Sequence, residues 1–294
     1  MTVSWLPHHA LVAPEGEQPG GWILVLHGIL GSGSNWRTIA RRLVAARPDW
    51  GAVLVDLRMH GRSQDAPPPH ALAAVAADLE RLAEDLGRRG MNVAGVAGHS
   101  FGGKAALALR ASELGPELRE TWVLDASPSA RPGTLAPLPD GVAPSDAAPG
   151  DGAHEVLRML ESLPGQFSSR DEFLAAVTGR GFSRPLAEWL AMNLVADGER
   201  FRSRLDLGAI RALLSDYFEQ DLWSAVEGDL PGVARFVVAS RSSAVSAEDR
   251  RRLEALAGEE QIALHVLDAG HWLHLDAPDA LLDLFTAELP RLAR

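Results

Sequence analysis

The chain has 294 residues, 46% of them hydrophobic, a formal net charge of −11 and no cysteine. That length suits one large or two smaller globular domains with a substantial core, and the acidic balance, with no long basic stripe, argues against a nucleic-acid partner. The missing cysteines exclude disulfides, thiolate catalysis and Cys-ligated zinc together.

The N-terminal stretch from Met1 to His9 has neither a basic flank nor a long apolar run, so no signal peptide is expected. No segment has the length of a membrane span, which leaves a cytoplasmic location as the default and no membrane partner. Residues 4–12 are a candidate antiparallel edge strand or hairpin. Short apolar runs at 22–27, 52–56, 92–98, 121–125, 233–239 and 262–267 read as strands, and amphipathic segments at 35–46, 71–88, 246–256 and 277–289 read as helices between them. Asn35 and Ser246 are the expected N-caps, and Pro278 a first-turn proline. Arg250-Arg251-Arg252, beside Glu248, Asp249 and Glu254, reads as a solvated helix face. Such alternation predicts a mostly parallel α/β sheet.

The alternation stops between about 127 and 228. A Pro/Gly/Ala/Asp-rich excursion at 127–152 is followed by helical patterns at 154–163, 170–178, 184–196 and 207–227. The expected organisation is a core over 1–128 and 229–294, with a helical cap at 129–228 inserted after the sixth strand. An insertion there leaves the sheet at its carboxyl end, where α/β proteins bind ligands. Most of its large apolar side chains hold helices together. A minority are expected to line a substrate pocket, for which Leu30, Trp189, Trp223 and Trp272 are the candidates.

The segment Gly98-His99-Ser100-Phe101-Gly102 joins the strand at 92–98 to a helical run from Gly103 to Arg110. G-x-S-x-G at a strand-to-helix turn lifts the serine hydroxyl clear of the sheet, because side chains at the flanking positions would obstruct the bend. A serine nucleophile then needs a base, an orienting acid and oxyanion donors. His271, in Leu267-Asp268-Ala269-Gly270-His271-Trp272, follows the last strand and precedes the last helix, as the chain order Ser, Asp, His requires. His274, three residues on, is its rival.

The acid is less direct. The strand at 233–239 is followed by Ser240-Arg241-Ser242-Ser243-Ala244-Val245, with no carboxylate, while Glu248 and Asp249 suit the first turn of the next helix. Asp125, closing the strand after the nucleophile helix, is the candidate acid, with loop capping as its alternative role and Asp268 as a second candidate better suited to a turn. The backbone N–H groups of Phe101 and, in the loop from His27 to Trp36, of Ile29 are the candidate oxyanion hole. The glycines of that loop do not fit G-x-G-x-x-G. His27, Arg58 and His60 are expected to brace loops. A metal site from His271, His274 and Asp276 is a competing reading of the same residues, but the serine mechanism calls for no metal and no cofactor.

With these pieces placed, the chain resembles the α/β-hydrolase superfamily over nearly its whole length, and within it YbfF-type bacterial esterases and their abhydrolase relatives. The likeness rests on His27-Gly28-Ile29-Leu30-Gly31-Ser32, Asp56-Leu57-Arg58-Met59-His60-Gly61, Gly98-His99-Ser100-Phe101-Gly102-Gly103-Lys104, Leu124-Asp125-Ala126-Ser127-Pro128 and Gly270-His271-Trp272-Leu273-His274. The resemblance implies carboxylester hydrolysis, a helical cap, and a triad acid after the sixth strand with none at the later site, in agreement with Asp125 and Ser242. The run from Arg131 to Gly152 is longer than that pattern leads one to expect. The function expected is a serine hydrolase acting on ester or thioester bonds of small to medium acyl substrates. The same triad also serves acyltransferases, C–C hydrolases and lyases, and the fold serves non-enzymatic small-molecule receptors.

Overall fold

In the computed structural model, residues 5–16, 18–135, 152–258 and 261–293 are described. They fall into two compact units, Met1–Ala130 with Gln220–Arg294, and Arg131–Glu219. The first unit is built on a sheet whose strands are β1 (His9–Val12), β2 (Gly21–Leu26), β3 (Trp50–Val55), β4 (Val93–His99), β5 (Glu120–Leu124), β8 (Val233–Ala239) and β9 (Ile262–Leu267). Their order is β1-β3-β2-β4-β5-β8-β9, with β1 antiparallel to β3 and every other pair parallel.

Fully buried strands such as Gly21–Leu26 and Trp50–Val55 are apolar throughout because both faces are covered. Successive side chains point to opposite faces. Ile23, Val25, Trp122, Leu124 and Val237 therefore pack with Ile39 and Leu43 of α1 (Arg37–Ala46) and Leu281 and Phe285 of α11 (Pro278–Glu288). Val123, Phe236 and Val238 pack instead with Leu107 of α3 (Phe101–Arg110), Leu253 of α9 (Ala247–Leu256), and Trp223, which precedes α8 (Ser224–Glu227). The other helices of this unit are α2 (Leu72–Arg88) and the short α10 (Leu273–Asp276).

Ser246 caps α9 as expected, its hydroxyl accepting from the Asp249 N–H at 3.0 Å, and Pro278 lies in the first turn of α11. Asn35 does not cap α1. A 3-10 turn over Gly33–Trp36 precedes that helix, and the Asn35 side-chain oxygen reaches back to the Ser32 N–H at 2.7 Å.

The second unit holds α4 (Ala153–Glu161), α5 (Arg170–Thr178), α6 (Arg184–Leu190) and α7 (Leu207–Glu219), and it is not wholly helical. The helix expected over 184–196 stops at Leu190, and Leu194–Asp197 (β6) pairs antiparallel with Arg200–Ser203 (β7). Gly198 takes a φ of 63° after Asp197, a hairpin-forming Asp-Gly that outweighs the helical pattern before it. The helix expected over 207–227 breaks likewise after Glu219, where the Asp221 carboxylate accepts from the Trp223 N–H at 3.1 Å. Counted along the chain, this unit follows the fifth strand and not the sixth, because a single strand, β1, precedes β2 among the described residues. Much of the excursion expected at 127–152 lies outside the described residues. Among the described residues no helix is long and apolar enough to cross a membrane.

Candidate active site

Parallel pairing aligns the carboxyl ends of the central strands. The Ser100 N–H donates to the Leu124 carbonyl at 2.9 Å, Asp125 N–H to Val237 at 2.8 Å, and Ser240 N–H to Leu267 at 2.9 Å, so the first residue beyond each strand is tied to its neighbour. Ser100 and Asp125 thus emerge from adjacent strands at the edge where α/β ligands bind.

The turn at Ser100 is tight. Ser100 has φ 54° and ψ −116°, outside the regions an L-residue prefers, a strain of order 1–3 kcal/mol that the surroundings must impose. The positive φ belongs to the serine itself, and the flanking glycines serve close approach. A Cβ on Gly98 would lie 1.9 Å from the Gly102 carbonyl oxygen, and one on Gly102 would lie 2.6 Å from that of His27.

Asp125 also has a positive φ, 47°, and its side chain is fully buried. Its Oδ1 accepts from the Ala239 N–H at 3.0 Å, and its Oδ2 lies 2.7 Å from His271 Nδ1. A carboxylate can only accept here, so His271 Nδ1 donates and Nε2 is left with its lone pair. His271 keeps its side chain about one-third exposed, within reach of solvent. Its loop is shaped by Asp276, whose Oδ2 accepts from the Gly270 N–H at 2.8 Å.

His274 is placed differently. It is buried, its ring centroid 4.8 Å from that of Trp36 and 5.5 Å from that of His99, and burial followed by the neighbouring His271 pushes its imidazole down to about 4. Asp268 faces solvent and pairs with Arg241. Among the described residues no group of three His, Cys, Asp or Glu side chains is placed to hold a metal ion.

The loop after β2 lies against the serine. A Cβ on Gly28 would sit 3.5 Å from Ser100 Cβ. His27 Nε2 accepts from the Leu57 N–H at 3.0 Å, which puts its proton on Nδ1, and Nδ1 donates to the Gly28 carbonyl at 2.7 Å. Gly31 N–H donates to the same oxygen at 3.1 Å. In a trans peptide the C=O and the following N–H point opposite ways, so these bonds fix the direction of the Ile29 N–H. Phe101 is the first residue of α3, directly after Ser100. Burial lowers His27, and it holds His60, whose Nδ1–H donates to the Arg58 carbonyl at 2.8 Å, at about 3. Arg58 itself forms a bidentate pair with Asp78, the shorter contact being 2.7 Å.

The four candidate pocket residues lie in different elements. Leu30 is 2% exposed with φ 67°, in the loop beside Ser100. The Trp272 ring is 6.4 Å from that of His99. Trp223 belongs to the core packed around Phe236 and Leu253, donating its indole N–H to Ser129 Oγ at 2.8 Å with Arg252 stacked on its face. Trp189 lies in α6 of the second unit.

Three supporting residues act through contacts that no local pattern shows. Asp56 accepts from the Gly33 N–H at 2.8 Å and the Arg62 N–H at 2.9 Å, joining the loops after β2 and β3. Asp249, beyond suiting a helix start, is buried and accepts from Ser127 Oγ at 2.6 Å and Ser129 Oγ at 2.5 Å, fixing the segment that leaves Asp125. Arg250 is half-buried and does not belong to a solvated face: its guanidinium donates to the Ala239 and Ser242 carbonyls, each at 2.8 Å, and closes the loop that lacks a carboxylate.

A family model described as "Alpha/beta hydrolase family" matches residues 23–284. The sn-1-specific diacylglycerol lipase ABHD11 of Xenopus tropicalis is 28% identical over 269 residues, 89% of this chain and 76% of that protein. Esterase YbfF of Escherichia coli (strain K12) is 29% identical over 263 residues, covering 88% of this chain and 89% of its own. Among solved structures, a marine microorganism esterase superposes with a TM-score of 0.74 at 20% identity, over 97% of this chain and 100% of that one. With the model match extending over most of the sequence and the sheet order, turn and loops described above, the chain belongs to the alpha/beta hydrolase family.

Proposed function

We propose that the protein is a carboxylesterase-type serine hydrolase, with Ser100 as nucleophile, His271 as general base and Asp125 as the orienting acid. The observation that carries this reading is the 2.7 Å contact of His271 Nδ1 with a fully buried carboxylate that emerges one strand from Ser100. The names of its relatives, an esterase and a lipase, agree with ester substrates.

The chemistry follows from the tautomer. His271 Nε2, with its lone pair free for Ser100 Oγ, takes the hydroxyl proton as the oxygen attacks the acyl carbon. Asp125 stabilises the imidazolium that forms. Charge on the carbonyl oxygen is met by the N–H groups of Ile29 and Phe101, and the imidazolium then protonates the leaving alcohol or thiol. Water, activated by the same base, releases the acyl group. Leu30 and Trp272 are the proposed lining residues of an acyl pocket for small to medium substrates.

The test is turnover of a graded series of p-nitrophenyl esters and acyl thioesters by the native protein and by Ser100→Ala. Hydrolysis by the native chain and a loss of about 10³-fold or more in the variant are expected. Equal rates from both proteins, or no turnover of any member of the series, would overturn the proposal.

A further inference from the structure

The sheet order poses a positional problem. His271 follows β9, which lies three places from β4, so the strand feeding the base is about 14 Å from the strand feeding the nucleophile. The loop Asp268–Trp272 must come back across the ends of β5 and β8. Asp125 holds the His271 ring. A second contact holds its backbone: His99 Nε2 lies 2.7 Å from the His271 carbonyl oxygen. A carbonyl only accepts, so His99 Nε2 carries the proton and donates it.

We propose that His99 is a positioning residue, whose Nε2–H bond to the His271 carbonyl sets the distance between the base and Ser100, its own neighbour in the chain. This rests on the reading of Ser100 and His271 as nucleophile and base. The rings of His99 and His271 lie 4.7 Å apart, and that of Trp36 lies 6.2 Å from His99. His99 is 4% exposed, and its Nδ1 faces the Gly28 backbone closely enough that a Cβ there would be 3.2 Å away. Burial, then the neighbouring His271 and His274, keep the imidazole well below its usual range, so the ring stays neutral with a single proton. One imidazole thereby lies beside the loop after β2 and bonds the backbone of the base.

A residue that only filled space would be replaceable by any side chain of similar volume. His99→Phe and His99→Met keep apolar bulk and lose the donor, whereas His99→Gln carries an Nε2–H donor of similar reach. With the p-nitrophenyl ester, His99→Phe and His99→Met are expected to lower kcat by ~10 to 100-fold with KM changed by no more than about threefold, as misplacement of about 1 Å does. His99→Gln is expected to recover kcat to within about fivefold of the native value. Melting curves for all three identify folded variants, and either apolar variant suffices for the comparison with Gln. If the folded apolar variant matches native kcat, or if His99→Gln is as slow as it, the proposal fails. Ser100→Ala and His271→Ala in the same assay keep the two readings apart: turnover surviving in both overturns the hydrolase reading, and its loss in both, with His99→Phe at the native rate, overturns the positioning role alone.

Discussion

Replacing Asp125 by Asn changes two oxygens for an oxygen and an amide nitrogen without altering volume. The Ala239 N–H, which donates to Oδ1 at 3.0 Å, keeps the Asn oxygen on its own side and turns the NH2 toward His271. His271 Nδ1 must then accept, so its proton moves to Nε2, and the ring faces Ser100 with a donor where catalysis needs a lone pair. The charge contribution adds to this: a carboxylate and an imidazolium about 4 Å apart at an effective dielectric of about 20 attract by ~4 kcal/mol, ~10³ in rate. Asp125→Asn should therefore lower kcat for a p-nitrophenyl ester by about 10³ to 10⁴-fold, with KM nearly unchanged. Asp268→Asn, exposed and paired with Arg241, should stay within about twofold. Steady-state kinetics on both variants decides the matter. Activity of Asp125→Asn within about tenfold of native, or a loss confined to Asp268→Asn, would exclude Asp125 as the orienting acid.

Gly98→Ala places a Cβ 1.9 Å from backbone that cannot yield, so it should cost at least about 3 kcal/mol in urea unfolding or abolish soluble expression. Gly87→Ala in α2, where a Cβ meets nothing within 4 Å, should instead stabilise by about 0.5 kcal/mol. Asp249→Ala leaves Ser127 and Ser129 without their acceptor and should cost about 2 kcal/mol, read as a lower midpoint in the same titration. Acid should weaken the fold before the carboxylates titrate. His60 and His274 are held by burial at about 3 and about 4, below the ordinary 6.5. Above 6.5 neither state binds these protons, and below it only the unfolded chain does. Stability is therefore full above pH 6.5 and falls by ~2 kcal/mol per group between pH 6.5 and 5. Equal urea midpoints at pH 7.5 and 5 would contradict this, and His274→Leu should remove one group's share of the slope.

Features written in short range were legible in the sequence. The strand-to-helix punctuation around Ser100 and the late Gly270-His271 are read from sequence alone, and the missing carboxylate after Ala239 makes Asp125 the candidate acid, which the structure sets 2.7 Å from His271 Nδ1. The close approach of Gly102 to the His27 carbonyl gives the motif its physical reason. Other features depend on partners far away in the chain and leave no local pattern. Asp249 has the look of a helix-start acid until Ser127, 122 positions earlier, donates to it. His99 contacts a carbonyl 172 positions away. Arg250 reads as part of a charged run, yet its work is done on the carbonyls of Ala239 and Ser242. The hairpin β6–β7 was hidden for a different reason: Leu186, Leu190 and Leu194 continue a helical spacing that the Asp197-Gly198 turn interrupts only afterward.

In the proposed reaction Ser100 accepts the acyl group, and covalent labelling measures that directly. The folded native protein, treated with a fluorophosphonate and analysed by intact mass and peptide mapping, should gain a single adduct on Ser100, at a rate reduced by about 10³-fold in Asp125→Asn and with no adduct in Ser100→Ala. An unlabelled native protein, or an adduct carried by another residue, would contradict it.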